Sequence, residues 1–192
     1  SEESKAQRLL QKMSATIDDF RAFFQPDASK SEFTLQSAVC SALDLLSAVL
    51  ANQRIHVEVR GDENIKVYGY PHEYAQILLN LLTNAKEALT ERAIPQATIW
   101  IEYAQEDGLA RLSVRDNAGG ISEQVLSKVF DPYFTTKPHN AGIGLYMAKM
   151  IVAHSMGGRI LVNNQNDGAE FVLETPLVPV SLDEKNLTLL EE

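Results

Sequence analysis

Two asparagines, Asn80 and Asn84, stand four residues apart in the run Asn80-Leu81-Leu82-Thr83-Asn84-Ala85. On a helix that spacing puts both amides on one face. An asparagine carbonyl is a hard, neutral oxygen ligand, suited to a Mg2+ ion that already holds phosphate oxygens. Two solvated polar positions on an amphipathic helix would read the same way. Further on comes Asp116-Asn117-Ala118-Gly119-Gly120-Ile121. A carboxylate at a strand end, followed by glycines, can sit in a concave site and accept a hydrogen bond from an exocyclic amine such as that of adenine. An ordinary turn uses the same residue types. In Phe130-Asp131-Pro132-Tyr133-Phe134-Thr135-Thr136-Lys137 three aromatics fall within one loop, which should hold a mobile segment against the body. Lys137 is a candidate cation for phosphate, or a solvated loop lysine. Last is Ala141-Gly142-Ile143-Gly144-Leu145 at a helix start. Glycines there let backbone N–H groups approach a phosphate, and a helix N-terminus favours negative charge.

The elements that must position these groups follow from periodicity. Leu9, Leu10, Met13, Ile17, Phe20 and Phe24 form one apolar stripe, which predicts a helix over residues 1 to 24 that ends at Gln25-Pro26. Such a stripe needs a partner, and a second copy of the chain is the preferred one. A polar linker over 27 to 32 follows. Helices are predicted over Leu35 to Asn52, from Pro71 to about Ala93, over 122 to 128, and over Leu145 to Ser155, the last closed by Gly157-Gly158. Alternating segments predict strands at 54 to 60, 65 to 68, 98 to 103, 110 to 115, 159 to 163 and 170 to 175. Read as antiparallel pairs with helices between them, they imply an α+β sandwich: a mixed sheet covered by helices on one face. A doubly wound nucleotide fold does not fit that order.

Composition narrows the class. The 192 residues suit one domain with an appendage, and a hydrophobic content of 45% supports a sizeable core. A net charge of −9 argues against a broad nucleic-acid surface, yet leaves room for a polyphosphate held by amides, a local cation and a metal ion. No run approaches the ~20 apolar residues of a membrane span. Cys40, the one cysteine, sits in an apolar run and is expected to be buried. The four histidines show no metal-ligand spacing.

Taken together, the four blocks resemble the catalytic domains of sensor histidine kinases, members of the ATPase superfamily that includes gyrase and MutL. The resemblance spans about residues 30 to 178. Asn80 to Ala88 is similar to the family's N box, Asp116 to Ile121 to its G1 box, Phe130 to Lys137 to its F box, and Ala141 to Leu145 to its G2 box. It implies a Bergerat-type two-layer sandwich over 27–180, preceded by the second helix of a dimerisation hairpin (1–26) and followed by an acidic tail (181–192). It further implies ATP and Mg2+ as ligands. Asn84 would ligate the metal with Asn80 in support, Asp116 would read the adenine amine, and Gly120 and Ile121 would line the base pocket. Residues 137 to 142 would form the lid, Lys137 would meet phosphate, and Gly142, Ile143, Gly144 and Leu145 would cradle phosphates. The reaction implied is transfer of the γ-phosphate to a histidine on the hairpin, expected upstream of residue 1. The implied partners are that hairpin, a second copy and a response regulator, in a cytoplasmic domain of a protein that could be membrane-anchored.

Several positions depart from the family pattern. Ala118 replaces the first G1 glycine, Asn140 the first G2 glycine, and Ala169 the threonine after the last turn. Glu87 stands where many members have a lysine, with Lys86 beside it. These changes bear on nucleotide affinity, and a non-catalytic nucleotide-binding module is one alternative; a serine-kinase anti-sigma factor of the same fold is another. Where superfamily hydrolases carry a glutamate four residues before the metal asparagine, this chain has Asn80, whose amide is no general base. Slow hydrolysis in the absence of an acceptor is the expectation.

Overall fold

The structure, a computed structural model, describes residues 29–137 and 142–178. The helix expected over 1–24, the acidic tail and the lid positions 138–141, with His139 and Asn140, lie outside the described residues.

Among the described residues, seven strands and four helices follow in the order β1 (Ser31–Thr34), α1 (Leu35–Asn52), β2 (His56–Gly61), β3 (Lys66–Gly69), α2 (Pro71–Glu91), β4 (Thr98–Glu106), β5 (Leu109–Asp116), α3 (Glu123–Leu126), α4 (Gly144–Met156), β6 (Arg159–Gln165) and β7 (Gly168–Pro176). Five strands form a mixed sheet ordered β2-β4-β5-β7-β6. The β2–β4 pair is parallel and the rest are antiparallel. The expected two-layer sandwich is thus borne out.

Alternation along the central strands separates the two faces of the sheet. Ile99, Ile101 and Tyr103 of β4, with Ala110, Leu112 and Val114 of β5, are buried toward the helices. Glu102 and Ala104, pointing the other way, are exposed. The covering layer is dominated by α2, which begins at Pro71, where a missing N–H is harmless. Its stripe of Ile77, Leu78, Leu81, Leu82, Ala85 and Leu89 is buried. Full burial of each large member contributes about 1.5–3 kcal/mol, so this helix is held firmly and its opposite face can carry polar groups. A side-chain bond starts α1: the Thr34 hydroxyl accepts from the Ser37 amide at 3.1 Å. By length and mean hydropathy (1.3) α1 could cross a membrane. The expectation that no run would approach a membrane span does not hold for it; Leu35, Ala38, Val39, Ala42 and Leu50 are its residues buried within the domain.

Three expectations need correction. The segments at 54–60 and 65–68 are not an antiparallel pair. β2 joins β4 in parallel, and β3 pairs with β1 in a separate two-stranded sheet. β1 begins inside the expected polar linker; only Phe33 of its four residues is buried, opposite Val67, and four residues are too few to display an alternation. Cys40 is exposed. It follows Val39 on α1, about 100° around the axis, and so turns away from the buried side that Val39 and Ala42 define.

Candidate functional site

A cavity of about 370 Å³ opens between α2 and the loops at the ends of β5 and α3, a size typical of small-ligand sites. One wall is the polar face of α2, where Asn80, Asn84 and Ala88 look inward, and Glu91 and Arg92 stand at its end. The base end is made by Asp116, Ala118, Gly120 and Ile121. The far rim comes from Phe134 to Lys137, with Gly142, Gly144 and Leu145 at the start of α4. Residues from all four sequence blocks therefore meet in one space. Ile143 does not join them: it is buried in the body beneath the cavity rim, leaving its neighbours on either side to line the space.

Asp116 is 5% exposed at the last position of β5. Its Oδ1 accepts from the Ala118 amide at 2.9 Å and, more weakly, from the Ala169 amide at 3.4 Å. Burial pushes its carboxyl above the ordinary aspartate value, opposed by those two amides and by the charges of Arg92 and Arg115. The second oxygen is outside both bonds. Gly168 makes this arrangement possible. A Cβ there would lie 1.5 Å from the Asp116 carbonyl oxygen, so only glycine lets the β6–β7 turn come this close.

The loop after Asp116 is held by side chains that the sequence reading did not single out. Arg92, at the C-cap of α2, donates from Nη1 to the carbonyls of Ala118 and Gly120, the latter at 2.9 Å. Asn164 of β6 clasps Ile121 through both amide atoms, accepting from its N–H at 2.8 Å and donating to its carbonyl at 2.7 Å. Asn117 accepts from the Thr98 amide at 2.9 Å and donates to the Gln96 carbonyl at 3.1 Å. Ala118 fits without strain: its φ lies outside the left-handed region that Gly119 and Gly120 occupy, and its methyl is buried in the core.

At the other end, Asn80 presses on the first turn of α4. A Cβ on Gly144 would come within 2.8 Å of Asn80 Nδ2. That nitrogen is buried and has no hydrogen-bond partner among the described residues, a costly state that a bound acceptor or water would relieve. Gly142, at φ +71°, lies against the backbone of Tyr133 and Phe134; a Cβ there would be 2.5 Å from the Phe134 carbonyl oxygen. The C-terminal end of the expected lid, at Gly142, thus packs on the backbone of Tyr133 and Phe134. Below it Phe130 meets Phe171 edge-on, with centroids 6.3 Å apart. Lys137, the candidate phosphate cation, forms an ion pair with Glu87 of α2. Burial, and then the nearby Lys86, push its ammonium below the ordinary lysine value.

Comparison with known proteins places this architecture. Residues 69–179 match the family described as histidine kinase-, DNA gyrase B- and HSP90-like ATPases. The chain belongs to that ATPase family. Within it, this ATPase domain is 35% identical over 153 residues to the two-component sensor PprA of Pseudomonas aeruginosa, covering 76% of the chain and 16% of that protein. It is 32% identical over 148 residues to the sensor histidine kinase ZraS of Salmonella typhi, covering 75% of the chain and 30% of that protein. The chain therefore spans between about a sixth and a third of these curated relatives. Among solved structures, the catalytic domain of the histidine kinase ThkA superposes with a TM-score of 0.70 at 28% identity, covering 77% of this chain and 95% of that one. The ATPase domain thus has the fold of histidine kinase catalytic domains.

Proposed function

We propose that this chain is the ATP-binding part of a two-component protein-histidine kinase. It would hold Mg-ATP in the cavity beside α2 and pass the γ-phosphoryl group to a histidine on a separate helical hairpin. One observation carries the reading: Asn84, Asp116 and the glycines Gly142 and Gly144, from blocks far apart in the chain, line a single cavity. The descriptions of one relative as a two-component sensor and of another as a sensor histidine kinase support the choice of reaction.

In this reading the free oxygen of Asp116 accepts from the purine amine, and Gly120 and Ile121 line the base. Triphosphate then extends along α2 toward Asn84, Asn80 and the first turn of α4, where helix amides favour anions. The donor set suits Mg2+. Asn84 offers a neutral amide oxygen, and the described residues contain no cluster of three acidic, histidine or cysteine side chains to cage an ion. That is the pattern expected for a metal that arrives with its phosphates, and when bound it would supply charge neutralisation. The protein's own contribution is positioning and electrostatics. In the transfer the bond from the γ-phosphorus to the bridging oxygen breaks, leaving ADP, a P–N bond forms to the imidazole, and the imidazole proton passes to solvent. Asn80 holds no proton-accepting group toward water, which keeps hydrolysis slow. A second copy and a response regulator are the partners that this role requires.

The test mixes the chain with a separate acceptor hairpin and γ-labelled ATP. Acid-labile label on the hairpin histidine is expected. Acid-stable label, label on an internal histidine such as His139, or fast hydrolysis without acceptor would each refute the assignment.

A further inference from the structure

The phosphate end of the cavity holds an unexpected carboxylate. Glu87 lies one turn beyond Asn84 on α2, and its Oε2 pairs with the Lys137 ammonium, across 50 positions of sequence. Both side chains are partly sheltered, at 34% and 23% exposure, so the pair is more than a solvated surface contact. Lys137 lines the cavity; Glu87 sits behind it and does not. The other nearby cation is Lys86, whose charge reaches Lys137. The rim that should attract a polyphosphate thus presents a lysine whose charge is already largely balanced.

We propose that Glu87 is a selectivity residue: by occupying Lys137 it biases the site toward a metal-complexed nucleoside triphosphate and against the bare anion. This rests on the nucleotide reading above. A metal-free triphosphate carries about four negative charges and meets a carboxylate next to the lysine it would use. It must either break that pair or accept the repulsion. A metal-complexed triphosphate carries about half that charge, loses less to the carboxylate, and needs Lys137 less. Neither penalty touches the base end of the cavity.

The experiment is calorimetric titration of the folded parent, Glu87→Gln, Lys137→Gln and the double variant. The probes are adenosine, ADP and a non-hydrolysable ATP analogue, each with Mg2+ and with chelator. Glu87→Gln should tighten the analogue about tenfold in chelator, the size of a modest partly desolvated charge coupling, and less than about threefold with Mg2+. Adenosine should be unaffected, and the gain should vanish in the Lys137→Gln background. An unchanged affinity in chelator overturns the inference, as does a gain that persists without Lys137. Weaker binding of the Mg2+ complex by Glu87→Gln would overturn it too, by making Glu87 a metal ligand. Failure of the parent to bind the ATP analogue with Mg2+ would remove the nucleotide reading itself, and the selectivity role with it.

Discussion

Removing Arg92 tests whether the purine end of the cavity is shaped by a clamp that acts on the loop backbone rather than on the ligand. Arg92 Nη1 donates to the carbonyls of Ala118 and Gly120, and those two residues bracket the turn after Asp116. Arg92 is itself exposed, so both carbonyls could find water in its absence. The loss is then the net value of each bond rather than that of an orphaned acceptor, about 1–1.5 kcal/mol each. Together they give about 2–3 kcal/mol of loop stability. If all of it were charged against binding, affinity would fall by roughly 30- to 150-fold. Asn164 and Asn117 still hold the loop at other points, so the loop stays formed in most molecules and the expected loss is about tenfold. Arg92 also lowers the Asp116 carboxyl; its removal raises that group further and moves the decline of binding with acid to higher pH. The assay is calorimetry of Arg92→Ala with an ATP analogue and Mg2+, alongside a thermal melt. A folded Arg92→Ala protein that binds within twofold of the parent at neutral pH would refute the clamp.

Gly168→Ala places a Cβ against the Asp116 carbonyl, where backbone meets backbone and neither side can move cheaply. A loss of more than about 3 kcal/mol is expected, read as a melting temperature lowered by roughly 6–12 °C; an unchanged melt contradicts the geometry. Asp116 also sets a pH dependence. Its folded-state value is raised by burial, so its contribution to stability is full below the unfolded carboxyl value, about 4, and is lost as pH rises through the folded value. Stability of Asp116→Asn relative to the parent should therefore grow from acid toward neutral pH in chemical denaturation, whereas a flat difference would count against the buried carboxylate. Nucleotide affinity should run the other way, falling as acid protonates the acceptor.

Legibility in the sequence followed the range of each signal. The stripe of α2 announces itself because Ile77, Leu81, Leu82 and Leu89 repeat at helical spacing, and Pro71 marks the start. Asn80, Asn84, Asp116 and the glycines of the two Gly-bearing blocks could be singled out because their chemistry lies in short runs. Partners distant in sequence could not. Arg92 reaches Ala118 across 26 positions and Asn164 reaches Ile121 across 43. Each is a lone polar residue bonding to backbone, which leaves no mark on residue type. The pairing of Lys137 with Glu87 is hidden for the same reason. The parallel β2–β4 pair leaves no local mark: β2 and β3 are neighbours in sequence and read as partners, whereas β3 and a 21-residue helix lie between β2 and β4.

In the proposed function one carboxylate, Asp116, recognises a purine amine inside this cavity. The most direct measurement is the affinity of Asp116→Asn for Mg2+ complexes of non-hydrolysable ATP and GTP analogues. The substitution keeps the shape, and its carbonyl can still accept from Ala118 while its amide takes the place of the free oxygen. ATP-analogue affinity is expected to fall about 10- to 150-fold, the range for a hydrogen bond to a charged acceptor, while GTP-analogue affinity holds or improves. Equal ATP-analogue affinity in the folded variant and the parent would contradict it.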